Sequence, residues 1–201
     1  MSRVVFGVDL TSAHVSIARV ADDGSMPKTK RIDVHNAGAC STATMVQRIE
    51  SAATKTVDAL TKNGHPDLVV MAKFWTTSGM DREPAQARRA WLWYSIVSKL
   101  TALNIPVAEL PMLTVMSWAG TMVDLRKGAI DLLAQDVRTK YSGITEPENY
   151  RLTTVAFACI GAMSIGIETE YAVTTDRLKK LNGNTRNAVQ CGTVTPPADC
   201  I

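Results

Sequence analysis

No run of apolar residues approaches the roughly 20 that a membrane-spanning helix needs. The N-terminus also lacks the basic start, long apolar middle and small-residue cleavage site of a secretory leader, so the expected location is the cytoplasm. Cys40, Cys159, Cys191 and Cys200 form no CxxC pair, and His14, His35 and His65 lie far apart, which argues against a zinc site. Massed positive charge is missing as well. The 22 basic and 19 acidic residues leave a net charge of +3 with the basic side chains scattered, a balance that permits nucleic-acid binding without demanding it. Internal repeats and low-complexity blocks are absent. What remains is an ordinary globular composition, 46% hydrophobic and 20% charged over 201 residues, enough to bury a core without disulfides or metals.

The organising stretch is Val4-Val5-Phe6-Gly7-Val8-Asp9-Leu10-Thr11-Ser12. Apolar residues lead into one carboxylate followed by small hydroxylated residues, so a buried strand presents Asp9 near its tip. Asp9 is either a cap for the following turn or the first ligand position of a metal- or phosphate-handling sheet. From His14 to Val20 apolar and polar residues alternate, Asp22-Asp23-Gly24 supplies a hairpin turn, and Lys30 to His35 returns, giving a three-stranded antiparallel meander. A helix is expected from Thr42 to Asn63, with Met45, Val46, Ile49, Ala52, Ala53, Val57 and Leu60 on one stripe. The buried strand Asp67 to Ala72 follows this crossover and should run parallel to the first.

A Thr/Ser/Gly-rich loop then leads to a helix from Pro84 to Leu103. It carries two apolar stripes, Trp93/Val97/Leu100 and Leu92/Ile96/Leu103, with Trp91 and Tyr94 beside them; burial on two sides points to a homodimer interface through Trp91, Leu92, Trp93 and Ile96, the alternative being a helix sandwiched inside the monomer. A fifth strand is expected at Ile105 to Leu110, and helices at Thr114 to Ala119 and Arg126 to Lys140. Thr145-Glu146-Pro147-Glu148 has capping-box spacing and opens a helix to Gly166, with Leu152, Val155, Ala156, Cys159, Ile160 and Met163 facing inward. A short helix, Tyr171 to Leu181, and a loose tail holding Cys191 and Cys200 complete the chain. The expected division is a domain over residues 1–166 and a C-terminal helix and tail over 167–201.

Three segments in this order resemble a family. Ala90-Trp91-Leu92-Trp93-Tyr94, then Leu103 to Pro111 with Ala119-Gly120-Thr121, and the helix Thr153 to Ala162 are similar to RuvC-type Holliday-junction resolvases, especially those of bacteriophages. The resemblance covers residues 3–166 and implies an α/β, RNase H-like fold: a five-stranded mixed sheet, three antiparallel strands then two parallel, flanked by helices. It also implies a homodimer and a nuclease ancestry.

Nucleases of this kind cut a phosphodiester with two hard metal ions, which need several converging carboxylates. Mapped from the family, Asp9 matches the first acid. The second falls on Ala72 and the last two on Tyr150 and Thr153, or on Arg151 and Thr154 in a register shifted by one. None is a carboxylate. Asp81, Glu83, Glu146 and Glu148 lie near helix starts, where the helix dipole favours acids for structural reasons. Lys73 and Arg151 are expected to occupy the vacated space as cations facing Asp9. No metal and no cofactor are therefore expected, Mg²⁺ belonging only to the alternative of an active, divergent endonuclease. Cations for nucleic acid remain at Lys73, Arg82, Arg88, Arg89, Arg126 and Lys127. Met112, Met116 and Trp118 suit either a core or a protein partner. The reading reached is a catalytically silent, dimeric RuvC-like module for branched or duplex DNA or for a phage or host protein, with an actin-like or sugar-kinase ATPase disfavoured by the short chain and the lack of a second phosphate loop.

Overall fold

The computed structural model describes residues 2–34, 41–74, 83–121, 128–182 and 190–191. β1 (Val4–Leu10) and β2 (His14–Ala21) pair antiparallel with Asp9 opposite Ser16, and β2 pairs likewise with β3 (Lys28–Asp33). α1 (Thr42–Thr61) opens on Ser41, whose side chain accepts the Thr44 N–H at 3.2 Å. It carries the chain to β4 (Leu68–Ala72), which runs parallel to β1 with Val8 level with Met71. One further step in that register sets Asp9 level with Ala72. α2 (Glu83–Ala102), β5 (Val107–Leu110), α3 (Met112–Ala119), α4 (Ala129–Lys140), α5 (Asn149–Ser164) and α6 (Thr175–Asn182) follow. β5 is parallel to β4, so the expected five-stranded mixed sheet is present; a two-residue β6 (Gln190–Cys191) adds antiparallel to β5, giving the order β3-β2-β1-β4-β5-β6.

Strand alternation splits the core in two. Val5, Ala18, Val20, Leu68, Val70 and Ala72 face α3, α4 and α5, whereas Phe6, Val8, Leu10, Val15, Ile17, Val69 and Met71 face α1 and α2. On the first side, α5 lies directly on the strands. A Cβ at Gly7 would collide with the Thr154 carbonyl and sit 2.6 Å from the Ala158 nitrogen, and one at Gly161 would strike the side chains of Val70 and Val5. Two missing side chains thus let helix and sheet backbones approach.

Several expected details change. α5 is buried on every side from Leu152 to Met163, not along one stripe, because α4 covers the face turned away from the sheet. Its N-cap is Glu148 with no side-chain cap bond, so Thr145 opens no capping box; Glu146 instead accepts the Glu148 N–H at 2.9 Å. Tyr171 precedes α6 as a buried core ring whose hydroxyl donates to Asp136 at 2.7 Å. Ile167, Tyr171 and Leu181 pack into the same core as α5. Met116 and Trp118 are buried there too. Among the described residues no helix is long and apolar enough to cross a membrane.

Candidate functional site

Asp9 is 2% exposed, on the sheet face that α5 covers. Its Oδ1 accepts the Leu10 N–H at 2.7 Å, and the Tyr150 hydroxyl donates to the carboxylate from the first turn of α5. The cation at Asp9 is Arg89 of α2, its Nη2 3.8 Å from Oδ1 and its guanidinium 5.8 Å from the centre of the Phe74 ring. Burial raises the Asp9 pKa, opposed by the Tyr150 hydrogen bond, by Arg89, by the Leu10 N–H and by His14. Burial raises the Tyr150 pKa as well, and the Asp9 charge adds to it, so the phenol keeps its proton for the carboxylate. His14 meets the Tyr150 ring edge-on at 5.5 Å; burial, then the Arg31 charge, lowers its pKa. His14 Nε2 and Ser16 Oγ are buried without hydrogen-bond partners.

The mapped positions behave unequally. Tyr150 reaches Asp9, whereas the Thr153 hydroxyl turns back to donate to the Tyr150 carbonyl at 2.8 Å. Ala72 contributes its carbonyl, which accepts the buried Trp93 Nε1–H at 3.1 Å. Arg151 does not face Asp9. Successive helical residues point about 100° apart, so with Tyr150 turned to β1 its neighbour reaches another partner: Glu146 at 3.0 Å and Glu148 at 2.8 Å. These acids also accept from Thr29 at 2.8 Å and Arg31 at 3.4 Å, binding β3 to the start of α5. Lys73 follows β4, its N–H donating to the Leu110 carbonyl at 2.8 Å. Arg88, beside Arg89, has a buried Nε without a partner. Arg82, Arg126, Lys127 and Asp81 lie outside the described residues, as does the side chain of Glu83.

The expected dimer patch is also divided. Leu92, Trp93 and Ile96 are 1%, 6% and 0% exposed and fill this chain's own core, because they form the face of α2 that meets the sheet. Trp91 is 44% and Tyr94 61% exposed, and Trp91 Nε1 donates to Glu50 at 3.1 Å.

A pair of divalent cations does not fit this donor set. Hard ions need several oxygen ligands and compensation of their charge, whereas among the described residues Asp9 is the carboxylate here, engaged by a phenol and a guanidinium. Among the described residues no three His, Cys, Asp or Glu side chains converge as a metal site. Arg89 is placed by α2, far from Asp9 in sequence, which is why its role beside Asp9 is not legible from motif spacing. His14 and Ser16 were legible in principle: in the antiparallel meander their alternation with Val15 puts them on the Asp9 face.

No family model matches the sequence, and neither does any curated protein. Solved structures do match. The chain is similar to Thermus thermophilus RuvC in complex with Holliday junction substrate, at TM-score 0.59 and 16% identity over 78% of this chain and 90% of that one. A second Thermus thermophilus RuvC structure matches at TM-score 0.55 and 16% identity over 83% and 98%. The yeast mitochondrial Holliday junction resolvase Ydc2 matches at TM-score 0.50 and 11% identity over 77% and 75%. On these likenesses the chain has the RuvC-type, RNase H-like fold.

Proposed function

We propose that this protein is a catalytically silent RuvC-like module that binds branched DNA as a cytoplasmic homodimer. The observation that carries the reading is the surroundings of Asp9: a carboxylate held by Tyr150 and Arg89, with a methyl group at Ala72, stands where two-metal cleavage would need converging acids. Silence of the chemistry does not remove the cations. Arg88 and Arg89 open α2 beside Asp9, and phosphate contacts supply most non-specific affinity for DNA. The exposed Trp91 and Tyr94 on the same helix are the face offered to a second copy.

The test pairs binding with cleavage. Labelled four-way junction and duplex of equal length are titrated at two salt concentrations, and cutting is scored in Mg²⁺ and Mn²⁺. Salt-sensitive junction binding without cutting is expected. Metal-dependent cutting abolished by Asp9→Asn makes the protein an active, divergent endonuclease and overturns the silent reading; failure to bind either DNA turns the search to a protein partner. Ala72→Glu combined with Tyr150→Asp and Thr153→Asp is expected to create Mg²⁺-dependent thermal stabilisation that the parent lacks. Trp91→Glu with Tyr94→Glu is expected to give monomers by light scattering, and an unchanged dimer would refute that interface.

A further inference from the structure

On the sheet face turned away from Asp9, α1 and the edge strand β3 enclose an open groove of about 820 Å³. From α1 it is lined by Thr44, Arg48, Ser51, Lys55, Asp58 and Lys62, whose alternating spacing of four and three residues places them on one face of the helix. From β3 come Lys30, Arg31 and Asp33. Arg31 is committed to Asp33 at 2.6 Å and to Glu148 at 3.4 Å. The other four cations, Lys30, Arg48, Lys55 and Lys62, have no ion-pair partner among the described residues, and Asp58 is the carboxylate set among them. Arg48 Nη1 is buried and without a hydrogen-bond acceptor. A guanidinium N–H left unmatched is costly, and an anionic oxygen satisfies it best.

The shape selects the anion. Arg48, Lys55 and Lys62 follow one another at two-turn intervals, about 10.5 Å each and about 21 Å in all. Cations so spaced along a straight helix cannot converge on one phosphate, but they can follow an extended polyanion. No aromatic ring lines the groove among the described residues, so it offers no stacking platform for unpaired bases. Its larger apolar residue, Ile32, and Ala52 are 7% and 2% exposed and already spent on the core, so an acidic peptide finds little apolar anchorage. We infer that the α1/β3 groove is a track for the phosphodiester backbone of duplex DNA, separate from the Asp9 site. The inference rests on the preceding proposal in taking DNA as the partner.

The test uses the full chain with a four-way junction and a mixed-sequence duplex, followed by fluorescence anisotropy across a salt series. Lys55 and Lys62 are exposed, so Lys55→Glu with Lys62→Glu leaves the core untouched, and Lys30→Glu probes the same groove from β3. Each variant should weaken duplex binding alike on every sequence. The double reversal should lower the salt slope by about two, one for each phosphate no longer neutralised, and Lys55→Arg with Lys62→Arg should retain parental binding. Unchanged duplex affinity and slope in both the double variant and Lys30→Glu would overturn the groove while leaving junction binding at the Asp9 site intact. A parent that binds neither DNA would overturn both proposals, and a parent that binds polyglutamate as tightly as duplex would overturn DNA as the groove's occupant.

Discussion

Two acids near the start of α5 are held in opposite ways. Glu146, its side chain 8% exposed, accepts from Thr29, from the Glu148 N–H and from Arg151 at 2.8, 2.9 and 3.0 Å. Asp9, its side chain 3% exposed, has a cation only at 3.8 Å, and its pKa is raised by burial in spite of the Tyr150 hydroxyl. The first cluster is a structural joint between β3 and α5. The second is a buried carboxyl whose charged form is only weakly compensated, so its ionisation is costly for stability. The difference between the two clusters separates an acid bound into a network of donors from one left weakly compensated.

Four changes break or sharpen that contrast. The largest is Gly7→Val, which drives a side chain into the α5 backbone and displaces the helix that serves both clusters. A loss of about 3 kcal/mol or more, or insoluble protein, is expected in denaturant melts. Glu146→Gln comes next, with a loss of about 2 kcal/mol, since a charge-assisted hydrogen-bond set is weakened and the Arg151 charge is left less compensated. Asp9→Asn should act with the opposite sign. A folded pKa raised above the unfolded value means that stability is lost as pH rises through that window, so the cost is absent below about pH 3.8 and grows as the pH rises above it. The stability of the variant relative to the parent should therefore be higher at pH 7 than near pH 3. A loss at pH 7 would show that the carboxylate is structurally required and would collapse the contrast.

The smallest effect is expected at Glu148, whose pKa the Arg151 hydrogen bond lowers to about 2. A lowered folded pKa contributes stability above the unfolded value near 4.5, and this is lost as pH falls toward 2. Glu148→Gln should flatten the thermal stability profile across that window and leave its shape above pH 5 unchanged. A profile identical to that of the parent would detach Glu148 from the joint.

Much of the fold was legible because its signals are local. Alternation in β2, the apolar run of β4 and the stripe of α1 each report a period within one element. That Ala72, Tyr150 and Thr153 are not acids was legible as residue type, at positions that the family resemblance supplied. The two stripes of α2 misled: Leu92, Trp93, Ile96 and Leu100 all belong to one broad core face, and the aromatics left outside, Trp91 and Tyr94, are beside them in sequence. The capping-box spacing at Thr145 misled because Glu146 and Glu148 are engaged by Arg151 and Arg31.

By itself the sequence determined a strand ending near a lone acid, the alternation of strands and helices, and the lack of further carboxylates at the mapped positions. Tertiary structure alone decided which cation stands at Asp9. Arg89 arrives from α2 and Tyr150 from α5, and which of Tyr150 and Arg151 faces β1 depends on how α5 is rotated about its axis. That rotation is set by the packing of Gly7 and Gly161 against backbone and side chains distant in sequence. Periodicity identifies a helix, but only packing against the sheet fixes the direction in which each of its side chains points.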